Sequence, residues 1–129
     1  MSEAPPIVSD RAQQTVVIDG VTLHLTHPDE LPIRWVGQED LMTQLLATWT
    51  VVDPRDVPLN PRLVGKPGVG KTTLAYAAAR RLGRDVYLFQ ATMDTRPEDL
   101  IIAPVVASSQ EIKYVASPIC TAMIRGGVV

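Results

Sequence analysis

The chain has 129 residues, 46% of them hydrophobic, which suits one ordinary domain or a part of a larger protein. Its net charge of −2 leaves no footprint for general binding to nucleic acid or to an anionic membrane, and it carries neither a basic-then-apolar leader nor 18 apolar residues in a row. With Cys120 as its one cysteine, it cannot build a disulfide framework or a multi-cysteine metal site, and these totals together predict a soluble, cytoplasmic protein.

Residues 1–14 are polar with a proline pair and read as a loose arm. "TVVIDGVTLHL" then places two β-rich runs around Asp19-Gly20, a strong hairpin signal. His24 and His27 fall on or just after the second run, with no carboxylate or cysteine at ligand spacing, so both read as surface residues. After Pro32, "WVGQEDLMTQLLATW" carries Met42, Leu45, Leu46 and Trp49 at i, i+3, i+4 and i+7, which makes one apolar stripe of a helix. "DPRDVPLNP" breaks that pattern with its prolines and leads into "PRLVG", a short apolar strand.

The next stretch, "GKPGVGKTT" at residues 65–73, matches the G-x-x-x-x-G-K-[ST] phosphate-binding pattern at every fixed position. Gly68 and Gly70 give the loop backbone angles closed to residues with a Cβ, so that successive N–H groups can turn inward around an anion. Lys71 is placed to reach the β- and γ-phosphates, and the Thr72 hydroxyl to ligate Mg²⁺. Behind them "TTLAYAAARRLG" reads as a helix whose N-terminal dipole faces the same phosphates, with Arg80 and Arg81 against its C-terminal dipole and Gly83 as the stop.

Beyond Gly83, "RDVYLFQA" is a β-rich apolar run, as expected for a second strand of a parallel sheet. "TRPE" at 95–98 has the Thr-x-x-Glu form of a capping box with Pro97 in the first turn, and Pro104 limits the helix it opens. "VVASSQEIKYV" reads as two short strands about a polar turn. "SPICTAMIRGG" restarts a helix with Ser117 as cap and Pro118 in the first turn, and Cys120 within it reads as a small buried hydrophobe. The final "VV" opens a further strand.

In this order the segments "WVGQ", "LVGKPGVGKTTLA", "VYLFQA", "DTRPEDL" and "AMIRGGVV" resemble the MoxR-like, dynein-related branch of the AAA+ ATPases, over about residues 32–129. The resemblance implies an α/β fold, the three-layer αβα parallel sheet of P-loop NTPases, preceded by an arm and β-hairpin at 1–31. It implies ATP or ADP held on Gly65, Pro67, Gly68, Val69, Gly70, Lys71, Thr72 and Thr73, with Lys71 in the catalytic role and Thr72 on Mg²⁺. Val36 and Gly37 match the family's box beside the adenine, although a plain hydrophobic contact explains Val36 equally well. "VVASSQEIKYV" matches a hairpin inserted in the family's second helix, facing the pore of a ring. Also implied are a homo-hexamer, a remodelled protein client and partners with a von Willebrand A-type domain.

In the family the strand that starts like "GGVV" continues into the acidic Walker B residues, followed by sensors, arginine fingers and a helical lid. These 129 residues hold the phosphate cradle and its lysine without them, so the expectation is the front part of a longer ATPase, with "RLV" lacking both its ladder partners. Two other readings compete. A small-molecule kinase of the shikimate or adenylate type also uses such a loop but places it near its N-terminus, whereas 64 residues precede it here. A non-catalytic module that holds nucleotide, or pairs an exposed strand with another chain, needs no hydrolysis at all.

Overall fold

A computed structural model describes residues 14–129, so the arm read at 1–14 lies almost wholly outside the described residues. In chain order it forms β1 (Thr15–Ile18), β2 (Val21–His24), α1 (Glu39–Thr48), α2 (Lys71–Arg81), a single 3-10 turn (Pro97–Leu100), β3 (Ile102–Val106), β4 (Ile112–Ala116) and α3 (Pro118–Arg125). These fall into two compact units, one built from residues 14–27 and 89–125, the other from 28–88 and 126–129.

The first unit is a four-stranded sheet in the order β1-β2-β4-β3. Asp19 and Gly20 both take positive φ, 48° and 79°, and so close the β1–β2 hairpin with the twist antiparallel strands require. β2 runs parallel to β4, which pairs antiparallel with β3 around the polar turn at 107–111. This register puts Val16, Ile18, Val21, Leu23, Ile112, Tyr114 and Ala116 on one face. Only one end of that face is covered: Leu23, Leu25 and Ala116 are buried with Val16 and Cys120 packed on them, while Ile18, Ile112 and Val106 stay exposed. Cys120 is therefore half-buried and not fully enclosed as its helix pattern suggested.

α3 starts as its sequence predicts. The Ser117 hydroxyl accepts the Cys120 N–H at 3.0 Å and donates to the Leu100 carbonyl at 2.7 Å, capping the helix and tying it to the 3-10 turn. Thr121, wholly buried, accepts the Thr26 N–H at 3.0 Å, and the Thr26 hydroxyl donates to the Ala116 carbonyl at 2.8 Å. The cap at 95–98 is shifted by one residue. Asp99, not Glu98, accepts the Arg96 N–H at 2.9 Å, because the Thr95 hydroxyl already accepts the Thr92 N–H at 2.7 Å in the preceding turn. This cap opens one 3-10 turn instead of a longer helix, and Pro104 lies inside β3, where an outermost strand tolerates its missing donor.

In the second unit α1 and α2 pack through Met42, Leu45, Trp49, Leu74, Tyr76, Ala78 and Ala79, with Val86 completing the core and Leu46 at its margin. The alanines keep side-chain entropy loss small and bring the helices close. Arg81 on α2 grips Glu39 on α1 through two hydrogen bonds of 2.9 and 3.0 Å. The strand expected at "PRLVG" does not form and Val64 is 81% exposed, since no neighbouring strand among the described residues offers it a ladder. "VYLFQA" contributes a single parallel rung, Val86 with Val128, in which Tyr87 N–H donates to the Val128 carbonyl and Val128 N–H to the Asp85 carbonyl, both at 2.8 Å. The chain is thus a mixed α/β structure with an N-terminal hairpin, and its parallel pairing is confined to this rung and to β2–β4 among the described residues.

Candidate nucleotide-binding loop

Residues 65–70 connect a segment without regular structure to the first residue of α2, and two glycines make the connection possible. Gly68 has φ +77° and Gly70, the N-cap of α2, has φ +94°. A side chain at Gly68 would meet nothing within 4 Å, so glycine is needed there for its backbone angle alone. At Gly65 the constraint is room: a Cβ would come within 3.3 Å of the Val69 side chain. The Gly70 carbonyl accepts the Leu74 N–H at 2.9 Å, so α2 is helical from its first turn and the free N–H groups of its N-terminus open onto the loop.

Lys71 folds back over that loop. Its ammonium donates to the carbonyls of Gly65 at 2.9 Å and Lys66 at 2.7 Å, which fastens both ends of the bend and centres a positive charge on it. Thr72 is exposed and Thr73 half-buried on the same first turn, and no acidic residue stands in that turn to repel an anion. Gly65, Pro67, Gly68, Val69, Gly70, Lys71, Thr72 and Thr73 are therefore brought together as one continuous cradle.

The "WVGQ" stretch forms a left-handed bend, with Gly37 at φ +84° and Gln38 at φ +48°, that leads into α1. Val36 is 79% exposed, which removes the plain core-contact explanation for it. Trp35 was not among the residues singled out by sequence. Its indole N–H donates to the Gly37 carbonyl at 2.7 Å, and its six-membered ring lies against Gly70, where a Cβ would sit 3.4 Å from Cζ3. Nothing in the spacing announces this contact, which depends on the fold bringing residue 35 to the head of α2. Upstream, the Leu31 N–H donates to the Tyr76 hydroxyl at 3.0 Å and pins the same segment to α2.

The shifted titrating groups lie on α1, on α2 and in the turn at 53–55. The hydrogen bonds from Arg81 hold the Glu39 carboxyl below the usual carboxylate range, and those from Arg55 do the same for Asp53; each arginine is pushed up in turn. Among the described residues no three His, Cys, Asp or Glu side chains gather as a metal site, so within this chain the Mg²⁺ expectation rests on the Thr72 hydroxyl. His24 is half-buried and His27 exposed. No helix of the described residues is long and apolar enough to cross a membrane.

Residues 62–129 match the family model of the AAA domain, dynein-related subfamily. The chain belongs to this family. As an AAA domain it carries the family's expectation of ATP, usually with Mg²⁺, and of oligomerisation. It is 32% identical over 100 residues to the Holliday junction branch migration complex subunit RuvB of Pseudothermotoga lettingae, covering 77% of this chain and 28% of that protein. The RuvB of Prochlorococcus marinus is 35% identical over 80 residues, 61% of this chain and 22% of its own length. The human chromosome transmission fidelity protein 18 homolog is 36% identical over 69 residues, 52% of this chain and 7% of that protein. The chain thus spans less than a third of the curated relatives it matches. No solved structure matches it.

Proposed function

We propose that this AAA domain holds the phosphates of ATP in the loop Gly65–Thr73 and is the nucleotide-holding front part of a longer ATPase that remodels a protein client. The observation that carries the reading is the cradle itself: two left-handed glycines, a lysine ammonium fastened across the bend and a helix N-terminus facing it. Those donors suit a polyphosphate, whose charge is spread over several oxygens. Lys71 contributes the positive charge that follows charge onto the β- and γ-oxygens during transfer. The exposed Thr72 hydroxyl is the group that would hold Mg²⁺, which when bound neutralises charge on those oxygens. Val36 and Gly37 are assigned to the adenine side, Val36 being exposed on the bend that Trp35 ties to the loop.

Hydrolysis is assigned to the longer protein, assembled as a homo-hexameric ring in the cytoplasm, with a MoxR-like role on a protein client or a von Willebrand A-type partner. A second reading is favoured by the relatives: two are named for Holliday junction branch migration, so the client would be a DNA junction.

Calorimetric titration of the chain with ATP and Mg²⁺ tests the site. Lys71→Ala should weaken ATP by about 10- to 100-fold, the range expected when a charge-assisted contact is lost; unchanged affinity removes the phosphate-loop assignment. Steady phosphate release by the 129-residue chain alone would place the whole catalytic apparatus within it and overturn the assignment of hydrolysis to a longer protein. In the longer protein, stimulation of turnover by a four-way DNA junction and not by protein substrates would decide for the second reading.

A further inference from the structure

The geometry points to Trp35 as a positioning residue that preorganises the phosphate loop by resting its ring on Gly70, an inference that builds on the proposed ATP site. Gly70 is the residue at which the loop turns into α2, and it does so at φ +94°. Glycine at such a position reaches both signs of φ with little cost, so a loop built on it samples other shapes unless something restrains it. The indole supplies that restraint. A Cβ on Gly70 would lie 3.4 Å from Cζ3 and 3.9 Å from Cη2, ordinary van der Waals distances, so the ring walls the space on that side of the glycine and limits how far the turn can shift toward it.

The ring itself has little freedom. It is half-buried against the core that contains Met42, Trp49 and Leu74. Its N–H is bonded to the Gly37 carbonyl at 2.7 Å, which also steadies the left-handed pair Gly37 and Gln38. A few residues earlier, the bond from Leu31 N–H to the Tyr76 hydroxyl fastens the same segment one turn and a half along α2. Trp35 therefore joins the bend at 36–38 to the head of α2 through one rigid plane. Ordering the cradle before ligand arrives removes part of the entropy that binding would otherwise have to offset.

Because the contact is with Gly70 and not with a base, its effect should appear with a ligand that has no base. The probes are inorganic tripolyphosphate and ATP, each with Mg²⁺, titrated into the native chain, Trp35→Ala and Trp35→Phe. Phenylalanine keeps an apolar ring in the core but lacks the N–H and the outer ring atoms that face Gly70. Both variants should lose affinity for tripolyphosphate and for ATP by a similar factor, tenfold or more, at a temperature where circular dichroism shows them folded. Should the alanine variant fail to fold, the phenylalanine variant decides alone. Tryptophan emission of the native chain should change on adding tripolyphosphate, and the change should vanish in Trp35→Phe although Trp49 remains.

Loss of ATP affinity with tripolyphosphate affinity intact would make Trp35 an adenine contact and overturn the proposal. Unchanged affinity for both would overturn it as well. Lys71→Ala separates the two levels: if the native chain binds tripolyphosphate and this variant binds it equally well, the loop assignment itself is wrong. A native chain that binds neither probe sinks the ATP reading and this inference with it.

Discussion

Gly127 stands where the chain returns to the core, and replacing it with alanine should destabilise the second unit by about 2 kcal/mol. Its φ is +132°, and an added Cβ would lie 2.8 Å from Tyr87 Cε2, 3.2 Å from Cδ2 and 2.9 Å from the Asp85 carbonyl oxygen. Tyr87 is fully buried, so its ring cannot swing away into solvent. If the rung were kept, overpacking of about 1–3 kcal/mol would add to a similar backbone strain. If the rung peels, two backbone hydrogen bonds are lost, Tyr87 N–H to Val128 and Val128 N–H to Asp85, at about 0.5–1.5 kcal/mol each. The second route is cheaper and sets the magnitude. Gly126→Ala is the control, since Gly126 has φ +79° but nothing within 4 Å of an added Cβ. Urea denaturation followed by circular dichroism should place Gly127→Ala below Gly126→Ala by about 1 kcal/mol. Amide exchange at Tyr87 and Val128 should quicken in the first variant only. Equal midpoints, with both amides as protected as before, would refute the close-approach argument.

Substitutions at three more positions probe the interactions within each unit. Thr121→Val removes the acceptor of the Thr26 N–H inside the first unit and should cost about 1–3 kcal/mol in a denaturation curve, while Thr121→Ser keeps the oxygen and recovers the hydrogen-bond part of the loss. Met42→Ala empties a fully buried position between α1 and α2 and should cost about 2–5 kcal/mol by the same assay. Glu39 has a carboxyl held below its ordinary range by Arg81, so its contribution is complete at neutral pH and fades as pH falls through the lowered folded value. The pair is exposed, so the effect is small and salt should screen it; comparing acid titrations of Glu39→Gln and the native chain at low and high ionic strength checks this, and superimposable curves would remove the contribution.

The parts of the molecule legible in the sequence are those encoded by neighbours along the chain. The hairpin at Asp19-Gly20, the apolar stripe through Met42 and Trp49, the cap at Ser117 and the phosphate loop each depend on a few adjacent residues, and each forms where its pattern lies. The capping box is displaced by one residue because the Thr95 hydroxyl accepts the Thr92 N–H in the preceding turn and Asp99 accepts the Arg96 N–H, a choice that residue spacing alone does not make. Strands are a harder matter. "PRLVG" and "VYLFQA" have suitable side chains, yet a strand exists only through its neighbours, and here they yield a segment without regular structure and one rung. Nor does local pattern reveal that β2 would pair parallel with β4, or that Trp35 would reach Gly70, for both are meetings between distant segments.

The Lys71 clasp has a bearing on selectivity. Two of the three ammonium protons are already given to carbonyls of its own loop, so an incoming anion competes with partners that never diffuse away. Weakly charged or single-oxygen ligands gain little from such a contest. At the proposed ATP site, a guest presenting dense negative charge at several points at once is the one able to displace both carbonyls, which disfavours a lone monocarboxylate.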